Sequence, residues 1–365
     1  MFKIKFCLKS SEIANNYIGD EGIENRKDQM RMKIGIPRGL FYYYYYPLWT
    51  KFFETLGAEV IVSGKTNKQI IDSGVQHTVD DACLPVKIYH GHVMDLKDKV
   101  DLIFVPKIMS IYKGEYICPK FCGLPEMIKS SLKDLPPIID TTIDFHKSKK
   151  KLLKTVYEIG KYVTHDKNKI HFAFEQSLKQ HKAYMDYMKK GILPTDIDGS
   201  KRLQCIHSCK NKKKILLLGH PYNIYDAYLS MNIIEKLRKN HLHVMTQDTF
   251  DTRIINEKAA TMDKKMFWSF GRKVLGAALY AMEQKDIQGI IYLSSFGCGI
   301  DSVIADIIER RTRRNADKPF ILLTLDEHTG EAGIDTRIEA FVDMIQWREK
   351  NENYISTHGK YVSTN

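Results

Sequence analysis

No run in this sequence approaches the roughly 20 apolar residues a membrane-spanning helix needs. The first residues, MFKIKFCLKSSEIANN, lack the apolar core of a secretory signal, so a cytoplasmic protein without a membrane partner is expected. There is no G-x-x-x-x-G-K-S/T stretch, and GHPYN (219–223) lacks the glycine pattern of a dinucleotide-binding turn; both absences argue against nucleotide hydrolysis by the chain itself. No recognition motif accompanies the basic runs HKSKKKLLK (146–154), KNKKK (210–214) and ERRTRR (309–314). The formal charge of +12 therefore reads as solvated helix faces and a surface for an acidic partner or a phosphorylated ligand such as a CoA thioester, in preference to nucleic acid.

What is present suits a folded protein. A hydrophobic fraction of 43% beside 27% charged residues excludes wholesale disorder, and 365 residues suffice for two ordinary domains. Seven cysteines without an export signal do not read as a disulfide framework, which leaves core thiols, nucleophiles or metal ligands.

Along the chain, residues 1–31 are polar and aperiodic, and GIENRKDQM would be encoded by a purine-rich stretch resembling a ribosome-binding site. A native start at Met30 or Met32 is expected, making 1–31 an extension. From Met32, β-branched runs alternate with helical periodicity: strands at 33–37, 58–64, 101–108 and 136–140, helices at 41–57, 66–74 (capped by Thr66) and after DDACLP. Residues 146–212 carry long amphipathic helical patterns and form a connector. The alternation resumes over 213–350, with strands at 213–219, 243–248, 289–295 and 319–326, a helix over 227–240 and a long one over 263–284, followed by a polar tail, 351–365. Strand–helix alternation predicts parallel sheets, so the fold class is α/β: an N-terminal domain (32–145) and a C-terminal domain (213–350), both Rossmann-like or flavodoxin-like. The aromatic run FYYYYY (41–46) is most simply a helix covering a sheet, or a contact between copies in a homodimer.

Ligands of open α/β sheets bind beyond the carboxyl ends of the strands. The loops there carry Cys118 and Cys122 (GEYICPKFCG), His220 and Asn223 (HPYNIYD), Cys298 between Gly297 and Gly299 (FGCGIDS), and His328 and Glu331 (EHTGEAG). Cys83 precedes a helix with Pro85 in its first turn. Helix N-termini under Cys83 and Cys298 are expected to lower the thiol pKa and favour the metal-binding thiolate, and the two glycines to open room for a bulky group. Taken alone, Cys298 is equally explained as an inert core thiol and Cys83 better explained so, whereas the C-x3-C spacing of Cys118 and Cys122 is a better ligand signal. The C-x3-C pairs Cys118/Cys122 and Cys205/Cys209 allow a four-thiolate zinc site, and a Cys–His hydrolase using Cys298 with His220 or His328 has no supporting signature.

Together, MKIGIPRGL, DDACLPVKIYHGHV, GEYICPKF, GHPYNIYD, FWSFGRKVLGAALY, YLSSFGCGIDS and LDEHTGEAGIDTRIEAFVDM resemble the acyl-CoA dehydratase activase-related proteins, relatives of 2-hydroxyacyl-CoA dehydratase subunits and of double-cubane cluster proteins. The resemblance spans Met32 to Met344. It implies two Rossmann-like domains with a 4Fe–4S cluster in the cleft between them, which on this chain maps to Cys83, Cys118 and Cys298 as ligands. His220, Asn223, His328 and Glu331 are then expected to line the cleft. The resemblance also implies anaerobic metabolism and a separate actin-like ATPase activator, or another redox partner, as electron donor. It leaves open whether the chain is a reductase, a dehydratase-like component or an electron carrier. Cys122, placed where the family pattern carries an apolar residue, is either a fourth ligand or a bystander. The alternative is a zinc-binding structural or interaction protein.

Overall fold

The computed structural model describes residues 31–144, 149–197, 212–315 and 318–350. The expected extension, Cys7, Cys205, Cys209 and the tail from 351 lie outside the described residues. The first part of the chain forms β1 (Lys33–Ile36), α1 (Tyr42–Thr55), β2 (Glu59–Val62), α2 (Lys68–Gln76), α3 (Leu84–Leu96), β3 (Leu102–Phe104), β4 (Lys107–Ser110), α4 (Pro119–Cys122), α5 (Leu124–Ser131), β5 (Ile138–Ile139) and β6 (Thr142–Asp144). Helices α6 (Lys149–Gly160), α7 (Lys167–Lys189) and α8 (Pro194–Ile197) follow. The last part holds β7 (Lys214–Gly219), α9 (Pro221–Ile224), α10 (Ile233–Lys239), β8 (His243–Thr246), α11 (Thr252–Ala259), α12 (Ser269–Glu283), β9 (Ile287–Ser295), α13 (Gly299–Asn315), β10 (Phe320–Leu325) and α14 (Glu331–Lys350).

Every strand pairing is parallel. The two four-stranded sheets run β2-β1-β3-β5 and β10-β9-β7-β8, and a two-stranded piece, β4-β6, follows the first sheet in the chain. Counted in chain order within each sheet, both have the order 2-1-3-4, although the sequence shows no close repeat. Each therefore has a switch point between its first and third strands, β1 and β3 in one sheet and β7 and β9 in the other, where a crevice opens at the carboxyl ends. Successive residues of β7 point to opposite faces: Ile215 and Leu217 join a core containing Phe52, Ile103 and Phe341, whereas Leu216 and Leu218 pack with Leu275 and Ile304. Burial on both faces is why these strands are continuous apolar runs instead of alternating ones.

Several elements differ from their sequence expectation. The strand expected at 101–108 is split at Pro106, which has no N–H for the ladder. The helix expected from 263 begins at Ser269, because Phe267 and Trp268 are extended: Tyr116 N–H donates to the Phe267 carbonyl (2.8 Å) and Ser269 N–H to that of Tyr116 (3.0 Å). That bridge straps the Cys118 loop to the second sheet's helices. The helix expected over 227–240 is confined to Ile233–Lys239, with Met231 and Asn232 left-handed before it. Asn67, not Thr66, caps α2, its side chain accepting from Ile70 N–H (3.0 Å).

The aromatic run is interior packing. Tyr43 and Tyr44 are buried, and Phe52 and Phe53 on the same helix are fully so, each contributing roughly 1.5–3 kcal/mol. Pro47 sits inside α1 and leaves the Tyr43 carbonyl without its intrahelical N–H; Tyr184 of α7 donates its hydroxyl to that oxygen instead (2.7 Å).

Cys83 stands at the head of α3, whose position depends on close contact with α2. A Cβ on Gly91 would collide with the Ile70 carbonyl oxygen, and one on Gly74 with that of Lys87. Gly91→Ala is expected to cost about 1–3 kcal/mol by overpacking, read as a lower urea midpoint; an unchanged midpoint would show that the helices can separate freely.

Further along α3, His92 is wedged between the Ser63 hydroxyl (Nδ1, 3.0 Å) and that of Thr66 (Nε2, 3.0 Å), and Thr66 hydrogen-bonds to buried Asp226 beyond β7. Thr66 is thereby occupied and unavailable as a cap. Burial, followed by the charge of Arg38, holds the His92 pKa down to about 3. Unfolded histidine titrates near 6.5, so below that pH the unfolded chain binds the extra proton. Stability is thus expected to fall as pH drops from about 6.5 toward 3, by up to about 1.4 kcal/mol per pH unit. Urea unfolding at pH 5 and pH 7 should show this loss, and His92→Gln should reduce it.

Candidate metal centre

Four residues with ligating side chains stand immediately before four helices. Cys83 caps α3 (φ −66°, ψ 150°), Cys118 caps α4 (φ −52°, ψ 133°), His220 caps α9 (φ −69°, ψ 148°) and Cys298 precedes α13. Proline in the first turn after each of the first three sets the helix start without losing a needed donor. Cys298 Sγ accepts from Asp301 N–H there (3.5 Å), whereas the Cys83 and Cys118 side chains make no capping hydrogen bond, and the nearby N–H groups of Val86 and of Lys120 and Phe121 act on them only by favouring the thiolate.

The fold brings the three cysteines together across the two sheets. Cys83 packs with Cys298 beside Ala82, Val86 and Met127. Gly297 is left-handed (φ +75°), and a Cβ there would lie 3.4 Å from the Cys83 Cα, so glycine permits this approach. A Cβ at Gly299 would meet no atom within 4 Å, leaving room in front of the helix. The charges of Cys83 and Cys118 are both felt at Cys298, and all three at Tyr222. Cys122 is the exception: it interacts with Cys118 but otherwise with Lys107 and Asp144.

The expectation that helix N-termini would give free thiolates is overturned. Burial, the largest cause for each of the three, pushes the thiols of Cys83, Cys118 and Cys298 up, and Asp301 is the next cause at Cys298. The nearby backbone N–H groups and, for Cys83 and Cys118, the Lys120 charge act in the opposite direction but do not prevail. Clustered thiols, one buried and two half-buried, are what a metal needs, since a bound cation supplies the charge that deprotonates them.

His220 and Asp301 complete the group. A ring nitrogen of His220, the Cys298 Sγ and an Asp301 oxygen all lie within 4.8 Å of one another. His220 Nε2 is 3.2 Å from Asp301 Oδ1. Asp301 also accepts from the Tyr292 hydroxyl (2.8 Å) and Ser295 N–H (3.4 Å), and Asn223 Oδ1 accepts from the Ser295 hydroxyl (2.7 Å). His328 and Glu331 are not brought in: His328 is exposed, and Glu331 is an exposed partner of Lys236 (2.7 Å). The neighbouring Glu327 reaches across instead, pairing with buried Lys87 (2.9 Å) one turn past Cys83. Sequence reasoning missed Asp301, Lys87 and Glu327. An acid at the third position of a helix was visible, but it reads equally as ordinary capping.

Two parallel α/β sheets of like order, with a thiol–imidazole–carboxylate group where their crevices meet, define an α/β protein with a buried candidate metal centre. Residues 33–250 match the family described as the CoA enzyme activase uncharacterised domain, and the chain belongs to that family. The family is acyl-CoA dehydratase activase-related, in line with the resemblance carried by the sequence motifs. The matched span includes Cys83, Cys118, Cys122, His220 and Asn223 and ends before Cys298. No curated protein matches the chain.

Proposed function

We propose that this chain is an oxygen-sensitive, cytoplasmic iron–sulfur protein of anaerobic metabolism in which Cys83, Cys118 and Cys298 hold a 4Fe–4S cluster. The observation that carries this reading is the gathering of three thiols from separate loops of both sheets, each placed at the start of a helix. A backbone N–H bond to sulfur, as Asp301 makes to Cys298, helps set the potential of a cluster, which when bound would supply one-electron chemistry. The chain's own part is to bind, to hold the sulfurs at the helix starts and to exclude water with Tyr222, Val86 and Met127.

The family relationship suggests an activator partner in general. An actin-like ATPase would meet the need for a low-potential electron, because the sequence carries no phosphate-binding loop of its own. Each cysteine loop also presents an apolar side chain outward: Val79 is 67% exposed, Tyr116 52% and Phe296 66%. With a charge of +12, this rim fits an acidic protein donor. A CoA thioester is the substrate class the family suggests, for a reductase or a dehydratase-like component.

A second reading has its own support. His220, Cys298 and Asp301 could hold a single zinc ion, because their donor atoms already lie within 4.8 Å of one another. Anaerobic purification with iron, sulfide and zinc analysis, beside an absorption spectrum, separates the two. Brown protein with about four irons per chain is expected; colourless protein with one zinc would replace the redox reading by the zinc one.

A further inference from the structure

We infer that His220 is the non-thiolate ligand that completes the centre, which makes it a three-cysteine, one-histidine cluster site; this rests on the cluster reading above. His220 is 5% exposed and capped between rings, stacked on Tyr222 (5.0 Å, 17°) and edge-on to Phe270 (5.8 Å, 78°), so it has a fixed orientation. Its Nε2 faces Asp301 Oδ1 at 3.2 Å, while its Nδ1 is buried with no hydrogen-bond partner. A buried, unpartnered ring nitrogen is costly to keep, which points to a group that occupies it.

The carboxylate explains which group. Asp301 is 1% exposed and held by the Tyr292 hydroxyl and Ser295 N–H, so it is anchored in place. A carboxylate beside one imidazole nitrogen favours the proton on that nitrogen and leaves the other as a lone pair, the usual arrangement behind a metal-bound histidine. The competing donors are weaker candidates. Asp301 already spends its oxygens on Tyr292 and Ser295 while facing His220, and Cys122 interacts with Lys107 and Asp144 beside Cys118. His220 also follows β7, one of the two strands flanking the second sheet's switch point, and Cys298 follows the other, β9. An imidazole carries one negative charge less than a thiolate, so the site should have a higher potential than an all-cysteine one.

The test is pulsed EPR of the full chain, anaerobically loaded with iron and sulfide and reduced, grown on natural-abundance or 15N-labelled histidine. The expected result is a strong nitrogen coupling that changes from the 14N to the 15N pattern on labelling and is lost in His220→Ala while iron is retained. His220→Cys is expected to keep iron and shift the potential downward. An iron-replete wild-type chain without nitrogen coupling overturns the His220 assignment, as does coupling that persists in His220→Ala. The labelled wild type gives that answer even where a variant folds poorly. A wild-type chain that binds no iron overturns the cluster reading and this assignment together, and metal analysis alone identifies that case.

Discussion

Replacing Cys83, Cys118 and Cys298 together by serine is expected to take the protein from about four bound irons per chain to none, with loss of colour. Serine is close to cysteine in size and is a favoured residue at a helix start, so helix entry survives while the soft ligand is removed. A folded control follows from the same geometry. Cys122→Ser is expected to keep its iron, because that thiol interacts with Lys107 and Asp144 as well as Cys118 and with neither of the other two cysteines. The single variants also separate the two metal readings. A zinc ion on His220, Cys298 and Asp301 would survive Cys83→Ser and Cys118→Ser and be lost only with Cys298→Ser, whereas a cluster should suffer from all three. Full iron content in the triple variant would remove these cysteines from the site.

The order of strands and helices was legible because parallel strands buried on both faces are unbroken apolar runs, as Ile215–Leu218 and Ile290–Leu293 are. The shared 2-1-3-4 order was not, since it is a matter of which strands pair and leaves no repeat in the residues. The cysteines could be singled out by local signals, such as a proline one or two residues after Cys83 and Cys118 and the glycines around Cys298. The partnership of His220 with Asp301 could not, because the two lie in different loops and meet only through the pairing of β7 with β9. Strand-end position also failed to rank the loops. His328 and Glu331 follow β10, the edge strand of its sheet, one strand removed from the crevice between β7 and β9, and from that edge it is Glu327 that reaches the other half of the site.

Removing the Asp248 carboxylate should be the most damaging single change away from the cysteines. Asp248 is buried at the end of β8 and accepts from the hydroxyls of Tyr44 on α1 (2.7 Å) and Tyr225 (2.5 Å), and it pairs with Lys273 of α12. Burial and the Asp248 charge push both tyrosines well above their ordinary pKa, so both stay protonated as donors at any ordinary pH. In Asp248→Ala, the buried Tyr44 hydroxyl loses its acceptor, that of Tyr225 is left with Thr246 Oγ1 (2.9 Å), and Lys273 keeps a largely buried ammonium without its counter-charge. Breaking one side of such a pair costs about 3–5 kcal/mol, because the remaining charge is left uncompensated. Asp248→Asn should cost less, since an amide oxygen still accepts from a tyrosine while the ion pair alone is lost. The damage should also travel. Tyr44 stacks on Phe270 (5.4 Å, 7°), and Phe270 in turn meets the His220 ring, so loosening this latch should lower iron retention before the chain unfolds. Urea unfolding of the two variants beside iron content along the same titration measures both effects, and an Asp248→Ala protein within 0.5 kcal/mol of wild type, roughly the scatter of neutral surface changes, would show that the two sheets are held together without it.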